Sequence, residues 1–254
     1  VIRAQIDPTV GSADVDDMSA WAVSGLYASL MRPVKGREPL STSSVIKLHW
    51  LLTGAWRWMV KNGITESNPM PSVGKPSPVR SEAAMLTMTE FASTLSAIEG
   101  VLSAEASSAE AVRRRNAAMA AYMALTAAFR AGEACGISRE QSRVSAADPH
   151  WYIHDQISEK PRLARRVVKR GSVGRVSMTA ADAEVARAHM AWQEGYLGPR
   201  AADDRRLTLV TDHDGSWMRP SELSSEFAAL RDRLGLDKSL TPHSLRHTHA
   251  SYLI

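Results

Sequence analysis

The sequence predicts a mainly α-helical protein with a small antiparallel β-sheet, an α+β fold in two domains. Three observations carry this. Apolar residues recur at three- and four-residue spacing through most of the 254 residues, the signature of helices with one buried face. One segment, RRVVKRGSVGRVSMT (165–179), reads instead as strand, glycine-containing turn and strand. A proline-rich stretch, NPMPSVGKPSPVRS (68–81), breaks the helical pattern, because proline removes backbone donors and forbids a continuous helix. The expected division is a helical domain over 1–76, a linker over 77–85 and a second domain over 86–254.

Taken in order, the opening VIRAQIDPTV has neither an initiator Met nor a signal-peptide pattern, and reads as a cut into a longer protein. A helix is expected from about Met18 to Leu30. The next, LSTSSVIKLHWLLTGAWRWMVKNG (40–63), places Val45, Leu48, Leu52, Ala55, Trp56 and Met59 on one face. Ser41 or Thr42 can cap its start and Gly63 can close its end. Lys47, Arg57 and Lys61 lie off the apolar stripe. Trp50, Trp56 and Trp58 could stack on bases, but packing is the favoured expectation.

Thr87 and Glu90 have capping-box spacing ahead of Phe91, Leu95 and Ile98. A long helix runs from about 109 to Phe129, with Met119 and Met123 in the core. Beyond the strand–turn–strand segment, ADAEVARAHMAWQEGYLG and SELSSEFAALRDRLGL read as helices closed by Gly198 and Gly235.

Composition bounds the function only loosely. Hydrophobic residues make up 44% and charged residues 23%, which fits a globular chain and excludes a disordered one. With 31 basic and 27 acidic residues the net charge is +4, which permits a polyanionic partner without requiring one. The one cysteine, Cys135, excludes an internal disulfide, fits a reducing compartment and is expected to be a buried thiol. The most apolar run, AAMAAYMALTAAF (117–129), is too short to span a bilayer.

The densest chemistry lies in TPHSLRHTHAS (241–251). Thr241 can cap a helix and Pro242 suits its first turn. His243 and Arg246 then share a face near the helix start, where free N–H groups favour anions. A histidine and an arginine there make a phosphate grip with a proton carrier beside it. His243 and His247 also have the spacing of helical zinc ligands. No Glu follows as in HExxH and no Cys cluster exists, so no metal is expected.

With its continuation, TPHSLRHTHASYLI resembles the H-x-L-R-H box of the tyrosine recombinases, the phage-integrase type. The upstream order agrees. ALTAAFRAGEACGI (124–137) is similar to the family's first box, an arginine and then a glutamate after a long apolar helix, here Arg130 and Glu133. VVKRGSVGRVSM resembles the β-hairpin that carries the family's lysine, here Lys169. LVTDHDGSWMRPSELSSEFAALRDRLGL (209–236) resembles the segment joining hairpin and box. The 40–69 segment resembles the family's helical core-binding domain.

The resemblance implies a core-binding domain followed by a catalytic domain, clamping double-stranded DNA like a C. It implies site-specific recombination by metal-free transesterification, with no cofactor, in tetramers on paired sites in a bacterial cytoplasm or nucleoid. Arg130 and Arg246 would hold the non-bridging phosphate oxygens with paired donors. Lys169 would protonate the leaving 5′ oxygen. His243 would manage the proton of the attacking hydroxyl, and Glu133 would orient Arg130 or His243. Lys47, Arg57, Lys61, Arg165, Arg166 and Arg170 are the expected DNA contacts. The family's tyrosine nucleophile lies downstream of its H-x-L-R-H box, and none of Tyr27, Tyr122, Tyr152, Tyr196 and Tyr252 matches its position. The expectation is therefore a chain that binds DNA without cutting it. Two alternatives stand beside this reading: a non-catalytic, DNA-binding remnant of an integrase, and a type IB topoisomerase-like enzyme.

Overall fold

The structure, a computed structural model, describes residues 11–34, 38–78, 84–169, 171–198 and 207–252. It is mainly α-helical with small antiparallel sheets, the predicted class. The chain divides into two compact units, one up to residue 82 and one from residue 83. No described helix is long and apolar enough to cross a membrane.

In the first unit, helix α1 (Ala20–Met31) begins where the Ser19 hydroxyl accepts the Ala22 N–H at 3.1 Å. It buries Val23, Leu26, Tyr27 and Leu30, a stripe at helical spacing. Helix α2 (Thr42–Lys61) is capped by the Ser41 hydroxyl, which accepts the Ser44 N–H at 3.2 Å. The chain leaves it through Gly63, whose φ of 68° is open to glycine at little cost. Val45, Leu48, His49 and Trp56 turn inward, and Tyr27 Oη pairs with His49 Nδ1 at 3.3 Å across the two helices.

Two expectations fail here. Ala55 is exposed rather than packed. Of the three tryptophans, packing claims Trp56 alone; Trp50 and Trp58 are 58% and 59% exposed. A helix of 3.6 residues per turn cannot turn positions 50, 56 and 58 to one side. The proline-rich stretch is also less of a break than expected. A 3₁₀ turn, Met70–Ser72, brings Met70 and Val73 into the first unit's core.

The second unit is built around one helix. Helix α3 (Met88–Ser103) starts at the predicted capping box: Thr87 Oγ1 accepts the Glu90 N–H, and Glu90 Oε2 accepts the Thr87 N–H at 2.8 Å. Helix α4 (Ala109–Ala127) is buried on all sides from Asn116 to Leu125, including Met119 and Met123. A helix apolar all round belongs at the centre of a fold, and α3 packs along it, as do the three later helices α5 (Ala131–Gly136), α7 (Pro220–Arg233) and α8 (Pro242–Tyr252). It ends at Ala128, which adopts the left-handed conformation (φ 56°, ψ 32°), and Phe129 N–H returns to the Met123 carbonyl at 3.2 Å. Cys135 is buried, and burial pushes its thiol pKa upward.

After α5 come strands β1 (Ser142–Arg143), β2 (His150–Ile153), β3 (Asp155–Ser158), β4 (Ala164–Val167) and β5 (Gly174–Ser177). The predicted turn is present: Ser172 N–H bonds the Lys169 carbonyl at 2.8 Å, beside Gly171 at φ 90°. The predicted pairing is not. β4 pairs with β3, and β5 pairs with β2, which lies between β1 and β5. The stretch 150–158 therefore acts as one long template for both arms of the expected hairpin. Ladder partners are chosen by burial on the template strand, and a glycine turn alone cannot specify them. Helix α6 (Ala180–Leu197), capped by Thr179 and Asp182, closes at Gly198; α7 is followed by Gly235 at φ 64°.

One contact sets the position of α5. It lies directly on the backbone of β3 through Gly132 and Gly136. A Cβ on Gly136 would fall 2.5 Å from Gln156 Cα, and one on Gly132 2.8 Å from the Ile157 carbonyl oxygen. Main chain cannot swing away as a flexible side chain can. Gly136→Ala is expected to destabilise the protein by about 1–3 kcal/mol, the usual cost of overpacking. Gly100→Ala, at an exposed position in α3 where an added methyl meets nothing within 4 Å, should stabilise by about 0.5–1 kcal/mol. Chemical denaturation of both variants checks the pair.

Candidate phosphate-binding site

The site begins where α4 stops. The left-handed Ala128 turns the chain sharply, and Arg130 becomes the residue ahead of the first turn of α5. Glu133, three residues on, reaches back. Its Oε2 accepts the Arg130 N–H at 2.9 Å, and its Oε1 accepts Arg130 Nη1 at 2.6 Å. The Glu133 side chain is only 3% exposed, whereas that of Arg130 is 49% exposed. The carboxylate is thus a buried fixture and the guanidinium an exposed group held by it.

Arg246 arrives from α8. Its Nη1 lies 4.0 Å from Glu133 Oε2 and donates to the Ala128 carbonyl. One acid therefore serves two arginines that lie far apart along the chain of the second unit. α8 is fixed against α4 by His249, whose Nδ1–H donates to the Leu125 carbonyl at 3.0 Å. Thr248 Oγ1, accepting the Leu86 N–H at 3.0 Å, ties it to the start of the unit.

One turn before Arg246, His243 is exposed, with its ring edge-to-face against His247 at 4.4 Å between centroids. Its pKa is lowered from the ordinary 6.5, first by desolvation and then by the charges of His247, Arg246 and Arg130. That both arginines act on this ring places all three groups within one electrostatic neighbourhood.

Lys169 is exposed on the turn between β4 and β5. The turn is joined to the cluster by Arg130 Nη1, which donates to Ser172 Oγ at 3.4 Å. Arg130, Glu133, His243 and Arg246 are therefore gathered together, and Lys169 is carried on the loop that touches them.

Two neighbours escaped the sequence reading. Ser172 meets Arg130 across 42 residues, a contact with no sequence signal. His247 entered only as a zinc ligand, although its fixed four-residue spacing from His243 already predicts contact on a helix. Among the described residues, the grouping suited to a metal ion is Asp212, His213 and Asp214, not the His243–His247 pair.

The expected DNA contacts divide. Lys47, Arg57 and Lys61 are exposed on α2, and Arg166 is exposed on β4. Arg165 is turned to structural use: its Nη2 donates to Asp155 Oδ2 at 3.0 Å and to Gln141 Oε1 at 3.3 Å, bracing β4 against β3. Arg170 lies outside the described residues.

The site's electrostatics carry a measurable sign. A neutral His243 is favoured beside two guanidiniums, so its ring should titrate below 6.5 in the folded protein. An unfolded chain takes up that proton at higher pH, so this ring opposes folding as pH falls through 6.5. By NMR titration, Arg246→Met should move the His243 midpoint upward. A midpoint at or above 6.5 in the parent protein would contradict the geometry.

Comparison with known proteins gives a consistent picture. Residues 94–254 match the family model described as "Phage integrase family". The chain is 25% identical over 250 residues to the tyrosine recombinase XerD of Corynebacterium glutamicum, covering 96% of this chain and 72% of that protein. Among solved structures, its fold is similar to the Tn1549 transposon integrase in complex with transposon right end DNA. There the TM-score is 0.74 and the identity 17%, over 99% of this chain and 78% of that one. A lambda integrase dimer bound to a COC′ core site matches with a TM-score of 0.62 and 15% identity, over 97% and 60% of the two chains.

Proposed function

The chain belongs to the phage integrase family, and from that premise we propose that Arg130, Lys169, His243 and Arg246 are its phosphate-activating set within a site-specific DNA recombinase. The observation that carries the proposal is the Glu133 carboxylate, buried and held against both Arg130 and Arg246 beside His243. Cleaving a phosphodiester places growing negative charge on the non-bridging oxygens. Two guanidiniums fixed before the substrate arrives stabilise that charge without reorganising, and one such donor is typically worth about 10²–10³ in rate.

The reaction so assigned is a transesterification. A hydroxyl oxygen attacks phosphorus and its proton passes to His243. The bond from phosphorus to the 5′ oxygen breaks, and that oxygen takes a proton from Lys169. General acid–base help of this kind contributes about 10²–10⁴. The cationic side chains fill the charge-neutralising role of a metal, so none is required.

In this reading the attacking hydroxyl is none of the chain's five tyrosines. Tyr27 pairs with His49, and Tyr122 donates to Asp182 at 3.0 Å. Tyr152 stacks on His154 and Tyr196 on Trp192. Tyr252 donates to the Leu86 carbonyl at 2.8 Å and packs on Phe91. The bonded hydroxyls of Tyr27, Tyr122 and Tyr252 support the reading that this chain grips DNA and primes the phosphate without cutting it, the working recombinase being a tetramer on paired sites. Its setting would be the bacterial cytoplasm or nucleoid.

Two measurements test the proposal. Affinity for duplex DNA should fall steeply with salt, by about 0.9 in logarithmic slope for each phosphate contact. Arg130→Ala with Arg246→Ala should lower both affinity and slope. Salt-independent binding would remove the DNA reading. On a nicked suicide duplex the chain should form no covalent adduct, and an adduct would show that one of its own hydroxyls attacks.

A further inference from the structure

Lys169 has to be placed by something other than a hairpin ladder. Because β4 pairs with β3 and β5 pairs with β2, the two arms beside the turn share no ladder with each other. The last ladder pairs are Asp155 with Val167 and Ile153 with Gly174. Val168 is still fixed: it is 4% exposed, and its N–H donates to the His154 carbonyl at 2.9 Å. Beyond it Lys169, Gly171 and Val173 are all exposed. Nothing lies within 4 Å of where a Cβ would stand on Gly171 or Gly174, so little packing holds the far side of the turn.

A short run of hydrogen bonds does hold it. Ser172 N–H donates to the Lys169 carbonyl at 2.8 Å, and Ser172 Oγ accepts Arg130 Nη1 at 3.4 Å. Among the described residues, the second of these is the side-chain hydrogen bond that ties the turn to the rest of the unit. The same Nη1 donates to Glu133 Oε1 at 2.6 Å, and the Glu133 side chain is 3% exposed. Rigidity thus passes from a buried acid, through a guanidinium and a hydroxyl, to the main chain of Lys169. The chemistry of the link matters. A carboxylate at 172 would bind Arg130 more strongly, yet it would repel a phosphate and compete for the Lys169 ammonium. A neutral hydroxyl holds a cationic loop beside a cationic cluster without neutralising either.

Resting on the phosphate-binding reading above, we propose that Ser172 is a positioning residue for Lys169: its hydroxyl, held by Arg130, sets the lysine-bearing turn against the phosphate that Arg130 and Arg246 grip. Without that hydroxyl the residues from Val168 to Val173 sample more conformations, and ordering them on DNA costs more entropy. Lys169 is then still present, but it reaches the phosphate in a smaller fraction of complexes. One bond, spanning 42 residues of sequence, couples the proton donor to the phosphate grip.

The test uses the full chain and has two arms. In the free protein, hydrogen exchange of the amides from Lys169 to Val173 reports on the turn. Ser172→Ala should speed that exchange about two- to tenfold, the usual net effect of one hydrogen bond, and Ser172→Thr, which keeps a hydroxyl, should restore it. In the second arm, affinity for a mixed-sequence DNA duplex is measured across a salt series. Lys169→Gln should lower the logarithmic salt slope by about 0.9. Ser172→Ala should weaken binding about two- to tenfold while Lys169 is present, and should change nothing once Lys169 is replaced by Gln. A hydroxyl that only stabilised the fold would lower the melting temperature and weaken binding equally in both backgrounds, and that result would overturn the proposal. So would unchanged exchange in Ser172→Ala, whatever the DNA arm gives. A parent protein that fails to bind duplex DNA, or a Lys169→Gln variant that binds like the parent, would instead overturn the functional reading, and the exchange arm would still show whether the turn is held.

Discussion

One buried carboxylate governs the second unit's chemistry. Glu133 accepts from the main chain and side chain of Arg130 and faces Arg246. Burying an acid is tolerable only with such partners in place. Because one of its oxygens is also committed to the N–H ahead of α5, the acid cannot move without unwinding the helix start. The two guanidiniums are thereby spaced by something more rigid than either of their own flexible side chains.

That rigidity is inherited from close approaches that tolerate no extra atoms. α5 rests on β3 through two glycines, which sets the depth of Glu133. α4, enclosed by its neighbours, sets where the Ala128 corner falls, and the Ala128 carbonyl in turn receives Arg246. The polar cluster stands on an apolar frame whose tolerances are a fraction of an ångström, as expected where a packed interior transmits displacement rather than absorbing it.

Much of this was legible from residue patterns. Helices announced by strong local chemistry, such as the Thr87–Glu90 box and the glycines after α6 and α7, formed where those signals stood. Arg130, Glu133, His243 and Arg246 could be picked out because their spacing on helices and their order along the chain resembled a known box. What escaped was non-local. The strand partners of β4 and β5 were hidden because pairing is decided by the template at 150–158. Arg165 looked like any other base in a basic run until Asp155 was placed beside it. On α2, three tryptophans within nine residues suggested a packed cluster, but the helical period sends only Trp56 inward.

The hydrogen bond from Arg130 to Ser172 divides the donors of one guanidinium between two duties. The guanidinium that would clasp a nucleic acid strand already has one N–H engaged by a hydroxyl of the lysine-bearing loop. A guanidinium carries five N–H groups, and with Nη1 turned to Glu133 and Ser172 a phosphate would be met by those of Nη2 and Nε. One guanidinium thus moors the lysine-bearing loop with part of its donors while the rest stay open to solvent, so the loop and the arginine share a single anchorage.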